Sequence, residues 1–305
     1  MITFNSTCII GVDLGYGNIK TSRTIFPTGL TAHNTEPVFS GKILQFDSKF
    51  YKIGDCHKPF IPDKTVDEDF YILTLAAIAS ELQVYNINEA NVHIAAGLPL
   101  SWVKNQRDQF RKYITKNEIV EFTFNKKHYK IKIAGCTVLP QGYPALIENT
   151  SMLTGVNMLA DIGNGTMNVM YINNKKPIEE KCFTEKIGVN QFVIAAQNDV
   201  TDISGKVIDP AIIQNFILDG TANISENYLA CLRETAENYC SEIFDTLAKY
   251  EYDPDFMKLF IVGGGGKLIK NFGRYNSDRV IFINDLCAAA KGFEKMAFLK
   301  MQNKR

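Results

Sequence analysis

The chain has no surplus of charge of either sign. Lys plus Arg and Asp plus Glu both number 33 in 305 residues, so the formal net charge is zero. A sequence-independent grip on nucleic acid needs an excess of positive charge, and direct DNA binding by the surface as a whole is not expected. Close cysteine pairs are missing as well. Cys8, Cys56, Cys136, Cys182, Cys231, Cys240 and Cys287 are scattered, odd in number and mostly set among apolar neighbours. That pattern argues against a disulfide frame or a zinc site and for reduced thiols in a cytoplasmic protein. His33, His57, His93 and His128 are isolated, without metal-ligand spacing. No window approaches the ~20 apolar residues of a membrane helix. Residues 1–10 lack the basic start and apolar stretch of a signal peptide. The expectation is a cytoplasmic protein without a membrane partner.

What is present is a globular composition, 46% hydrophobic and 22% charged, in a chain long enough for two domains. Two segments about 150 residues apart say nearly the same thing. Ile10-Gly11-Val12-Asp13-Leu14-Gly15-Tyr16-Gly17-Asn18-Ile19-Lys20 and Leu159-Ala160-Asp161-Ile162-Gly163-Asn164-Gly165-Thr166-Met167-Asn168-Val169 each read as an apolar strand ending in Asp, a Gly-x-Gly turn and a second strand. A hairpin carried twice implies two related domains, and two such hairpins facing each other can grip a polyphosphate.

Strands alternate with helices, which implies α/β domains with mixed sheets. After the first hairpin, residues 41–54 read as a second hairpin, followed by a loop through Pro59 and Pro62 and a buried helix over 70–82. A strand over 92–97 leads to a helix that Ser101 is placed to cap. Strands near 121–124 and 129–133 and a separate strand end near 138–140 follow, then a helical stretch over 145–152. The second domain is expected to carry strands around 163–165 and near 178–183, helices over 189–198 and 225–250, and between those helices a loop through Asp209-Pro210 and a short helix. A buried strand over 259–262 runs into four glycines. The last strand, 280–283, precedes a final helix from Asp285 to about Lys300. The expected division is 1–155 with 280–305, including a small subdomain at about 25–70, and 156–279.

Glycine turns leave room for phosphate oxygens to meet backbone N–H groups. The candidate phosphate contacts are Gly15, Tyr16, Gly17, Asn18 and Lys20 in one hairpin and Gly163, Asn164, Gly165 and Thr166 in the other. Asp13 and Asp161 cannot bind phosphate directly; they suit a Mg²⁺ ion held through water, or an attacking water. Gly263, Gly264, Gly265 and Gly266 leave space for a flat adenine and ribose to lie on the backbone. Gln141 is a neutral amide able to orient water.

The order of these elements resembles the actin, chaperone and sugar-kinase ATPase superfamily. Residues 13–20 match its first phosphate motif, Gln141 falls in its connecting segment, 161–166 match the second phosphate motif and 261–266 the adenosine motif. Within it the chain most resembles actin-like proteins of the ParM/StbA kind, supported also by Ala96-Gly97-Leu98-Pro99 and Val138-Leu139-Pro140-Gln141-Gly142. ParM carries Glu where this chain has Gln141; actin carries Gln.

The resemblance implies an actin-like fold, two related domains around a nucleotide cleft, binding ATP or GTP with Mg²⁺. It implies γ-phosphate hydrolysis with Gln141, Asp161 and Asp13 as catalytic residues, and Asp13 and Asp161 holding the metal through water. It further implies a homopolymer filament of a cytoskeletal kind that segregates plasmid DNA through a separate DNA-binding adaptor protein, in keeping with the zero net charge. Two alternatives stand beside it. A small-molecule kinase of the same superfamily needs a base, for which Asp202 and Asp209 are candidates. A membrane-associated scaffold of the MreB or FtsA kind would use the basic C-terminal stretch, with Phe293, Met296, Ala297 and Leu299 on lipid; the competing expectation is that this helix packs on the first domain.

Overall fold

The structure, a computed structural model, describes residues 1–38, 41–54, 61 and 63–303. The loop expected through Pro59 and Pro62, with Cys56 and His57, lies outside the described residues apart from Ile61. The chain divides into two compact units, Met1–Thr150 with Asp285–Arg305, and Ser151–Asn284. The first contains β1 (Ile2–Phe4), β2 (Thr7–Leu14), β3 (Asn18–Lys20), β4 (Ile25–Pro27), β5 (Leu30–His33), β6 (Lys42–Phe46), β7 (Lys49–Ile53), α1 (Asp69–Val84), β8 (Glu89–Leu98), α2 (Leu100–Ile114), β9 (Ile119–Phe124) and β10 (Lys127–Pro140). A 3-10 helix over Tyr143–Met152 leads out of it. The second holds β11 (Val156–Ile162), β12 (Met167–Asn173), β13 (Lys176–Glu185), α3 (Val189–Ser204), α4 (Pro210–Asp219), α5 (Glu226–Lys249), β14 (Lys258–Val262), α6 (Gly266–Phe272) and β15 (Val280–Phe282); α7 (Ala288–Gln302) belongs to the first unit again.

In the first unit the sheet runs β4-β3-β2-β8-β10-β9-β6-β7-β5, with β1 also paired to β2. The centre is parallel, β2 with β8 and β8 with β10, and parallel strands are covered on both faces. Alternation along β2 does this. Cys8, Ile10, Val12 and Leu14 join the core that α1 fills, a helix apolar nearly all round. Ile9 points the other way, toward Phe293 and Ala297 of α7. A Cβ on Gly11 would collide with the Ala290 carbonyl oxygen, so glycine there lets α7 lie directly on the strand. The Gly11 N–H donates to the buried Glu294 carboxylate at 3.1 Å. The lipid reading of the C-terminal stretch thereby loses Phe293 and Ala297 to the core of this unit; Leu299 is 40% exposed.

The second unit repeats the central plan in a five-stranded sheet, β13-β12-β11-β14-β15. β11 pairs antiparallel with β12 and parallel with β14, as β2 does with β3 and β8. Met158, Ala160 and Ile162 of β11 pack into a core with Phe192 of α3 and Leu232, Tyr239, Ile243 and Leu247 of α5. Tyr228 and Phe244 are only partly buried; Leu229, Ala236 and Cys240 complete the buried stripe of α5.

Three expectations change. β10 is one strand of 14 residues where the sequence reads two pieces. A register shift between Ile133 and Gly135, with Gly135 at φ 151°, absorbs the irregularity and lets pairing continue. Ser101 does not cap α2, because the helix already begins at Leu100; the Pro99 carbonyl accepts from Trp102 and Val103. The final helix begins at Ala288, with Asp285 Oδ1 accepting from the Cys287 N–H at 2.9 Å.

Candidate functional site

Both hairpins form, and in the same register. Asp13 stands across from Lys20 and Leu14 across from Ile19; Asp161 stands across from Asn168 and Ile162 across from Met167. Each turn therefore holds four residues, 15–18 and 163–166.

In the first hairpin Asp13 is 8% exposed. Its Oδ2 meets Lys20 Nζ at 3.4 Å and its Oδ1 accepts from Gln141 Nε2 at 3.2 Å. Gln141 reaches it because β10 ends at Pro140 beside β8, and its own N–H donates to the Leu98 carbonyl at 2.8 Å. Asp13, Lys20 and Gln141 thus form one cluster. Thr28 braces the turn, its hydroxyl donating to the Gly15 carbonyl at 2.7 Å and its N–H to the Gly17 carbonyl at 3.1 Å. Tyr16 turns away from the turn's outer side. Its buried ring meets Phe70 edge-on at 5.8 Å, its hydroxyl donates to the Ile61 carbonyl, and burial raises its pKa. What Tyr16 can offer a phosphate is its backbone N–H. Asn18 and Gly15 remain partly exposed.

The second hairpin is backed by a helix start. The Gly163 and Asn164 carbonyls accept from the Val189 and Asn190 N–H groups of α3 at 3.0 and 2.9 Å. A Cβ on Gly188 would collide with the Asn164 carbonyl. Gln191 Oε1 accepts from the Gly188 N–H at 2.9 Å, closing the first turn. Gly163, Asn164, Gly165 and Thr166 are all partly exposed. Asn168 is 3% exposed and accepts from the Thr184 hydroxyl at 2.9 Å.

The glycine run joins this second cluster, because β14 pairs with β11 and ends beside Asp161. Its glycines have unequal reasons. Gly263 has φ 87°, and a Cβ there would strike the Ile162 carbonyl; at Gly265 it would strike the Ile162 side chain. Packing within the unit explains both. A Cβ on Gly264 would meet nothing within 4 Å, so Gly264 is the one position of these three with open space beside its backbone. Gly266 begins α6.

Sequence reasoning missed Thr28 and Gly188. Thr28 carries no local signal; Gly188 is legible only as a glycine directly before the Val189 helix. The kinase alternative loses a candidate base, since Asp209 caps α4 through the Ala211 N–H at 2.7 Å. Asp202 lies exposed on α3. Among the described residues no group of three or more His, Cys, Asp or Glu is placed to hold a metal ion. No helix among them is long and apolar enough to cross a membrane.

Two α/β units built on one plan, each with a glycine hairpin following an Asp at the end of its central strand, define the actin-like class of fold. The family described as actin-like proteins, N-terminal domain, matches residues 11–143, and the archaeal actin homologue MreB-like C-terminal family matches residues 159–272. Both parts of the chain thus match actin-like families, one over residues 11–143 and the other over 159–272. Comparison with curated sequences returns no match. Among solved structures it is similar to the archaeal actin homologue Ta0583 in complex with ADP, at 20% identity and a TM-score of 0.76 over 96% of this chain and 100% of that one. A 15-stranded ParM filament from Clostridium botulinum matches at 19% identity and 0.74, over 96% and 99%. Bacillus thuringiensis ParM with ATP matches at 13% and 0.69, over 98% and 100%.

Proposed function

We propose that this protein is a nucleotide-driven, filament-forming actin-like ATPase. The observation that carries the reading is the hairpin repeated in one register at the end of the central strand of each unit. One nucleotide is bound by both hairpins, its phosphates meeting backbone N–H groups of the 15–18 turn and of residues 164–166, with Asn18, Thr166 and Lys20; the Gly163 N–H is taken by the Thr166 carbonyl at 2.9 Å. The adenine and ribose lie along the glycine run at Gly264. Gln141 orients the attacking water. Its Nε2 is engaged by Asp13, which leaves the amide oxygen to accept from that water, with Asp161 alongside.

Mg²⁺ fits the donor set. Asp13 and Asp161 are hard oxygen donors, each the one carboxylate of its hairpin, and this ion keeps waters and leans on substrate phosphates more than on all-protein cages. It would neutralise charge on the phosphates, held by these two carboxylates through water. GTP in place of ATP would use the same phosphate contacts.

Filament assembly is supported by the family and by relatives solved as filaments. A head-to-tail contact that does not close is the geometry it needs. Plasmid segregation through a DNA-binding adaptor is the cellular role we infer, consistent with a chain of zero net charge. Right-angle light scattering with Mg-ATP and Mg-GTP tests the assembly. The reading expects a rise that later decays as phosphate is released, absent in Asp161→Ala. No rise with either nucleotide, in protein that binds them, refutes the filament.

A further inference from the structure

Lys64 lies outside every motif legible in the sequence, and it is 1% exposed. Its ammonium donates to the carbonyl of Leu14, the last residue of β2 before the 15–18 turn. It sits 5.2 Å from the ring centre of Tyr16 and 5.3 Å from that of Phe70. Its neighbours Asp63 and Thr65 are tied to each other. Asp63 Oδ1 accepts from the Thr65 N–H at 2.8 Å and the Thr65 hydroxyl at 2.7 Å, and Gln109 of α2 donates to Asp63 at 3.1 Å.

An ammonium has three donors, and among the described residues the Leu14 carbonyl is the one hydrogen-bond acceptor of this one. Burying such a charge is costly, and two aromatic faces offset only part of the cost. Burial lowers the Lys64 pKa to about 8, with Asp13 acting in the opposite direction. The titratable groups around it are Asp13 on β2, paired with Lys20 of β3, and Tyr16, itself in the field of Asp63. Lys20 and Lys64 bring two positive charges to the turn; of the two carboxylates nearby, Asp13 meets Lys20 and Asp63 is held by Thr65 and Gln109.

We propose that Lys64 is a positioning residue of the phosphate site, whose buried ammonium holds the 15–18 turn through the Leu14 carbonyl and adds a fixed positive charge that strengthens anion binding there. This deepens the nucleotide reading above and rests on it. An anion at the turn favours the protonated amine, so binding above about pH 8 draws in a proton.

The test is calorimetric titration of Mg-ATP into the full chain, its Lys64→Met and its Lys64→Arg variants, from about pH 6.5 to about 9.5 in buffers of different ionisation enthalpy. The arginine variant, charged throughout, is the blank for protons exchanged by the nucleotide itself. The expected result is proton uptake by the wild type above about pH 8 in excess of the arginine variant, with affinity falling about tenfold toward the alkaline end. Lys64→Met is expected to bind about tenfold more weakly at neutral pH with no excess uptake. Folded Lys64→Met binding within about twofold of wild type at neutral pH overturns the proposal, as does equal proton uptake by wild type and Lys64→Arg. If Lys64→Met does not fold, that second comparison decides alone. Binding lost in Asp161→Ala but untouched in Lys64→Met removes Lys64 from the site and leaves the nucleotide reading standing. No binding by the wild type at any pH overturns both.

Discussion

Asp13 faces a lysine across its hairpin and Asp161 faces an asparagine across an otherwise matching one. Lys20 is partly exposed and charged, within 3.4 Å of Asp13. Asn168 is buried, neutral and held by Thr184. The supports differ too. Thr28 and Lys64 hold the first turn from neighbouring segments, whereas the second leans on the first amides of α3, with Gly188 leaving space for the contact. The shared part is an Asp at the strand end, glycines, and a fixed four-residue loop. The differing part is the source of attraction. In our account the first hairpin supplies positive charge and the second supplies backbone dipoles.

The comparison is broken most severely at its common element. Asp13→Ala and Asp161→Ala should each lower phosphate release by about 100-fold or more, measured by steady-state turnover with Mg-ATP. A hairpin whose Asp can be removed without effect is not part of the site. Next comes the support of the second turn. Gly188→Ala forces a Cβ into the Asn164 carbonyl and should cost about 1–3 kcal/mol in thermal or urea unfolding. Lys20→Asn makes the first hairpin resemble the second. It should weaken ATP binding about tenfold, and the salt dependence of binding should shrink with it. The smallest effect separates two neighbouring glycines. Gly264→Ala should leave stability within about 0.5 kcal/mol of wild type while weakening nucleotide binding severalfold. Gly263→Ala, at φ 87°, should cost about 1–3 kcal/mol of stability by itself. Equal melting temperatures for the two variants would contradict the packing described for the run.

The hairpins were legible because an apolar strand, an Asp and a Gly-x-Gly turn are local features, and local features survive in a linear reading. Their matching register follows from loop length alone. The role of Tyr16 was not legible, because its ring is placed by Phe70 and its hydroxyl by Ile61, partners about 45 to 55 residues away whose proximity only the fold creates. Lys64 was hidden for the same reason: a lysine in a Pro-Asp-Lys-Thr stretch reads as a solvated loop. In sequence the glycine run reads as making room for a ligand, whereas at Gly263 and Gly265 packing on Ile162 already accounts for it. The long β10 reads in pieces because Gly135 marks a break in sequence that the sheet accommodates as a bulge.

The account's central claim is that the two hairpins act on a single nucleotide. Calorimetric stoichiometry of Mg-ATP binding to the full chain, alongside Asp13→Ala and Asp161→Ala, tests it most directly. The account predicts one nucleotide per chain and severe loss of affinity in both variants. Two nucleotides per chain, or one site surviving intact when either hairpin is disabled, would contradict it.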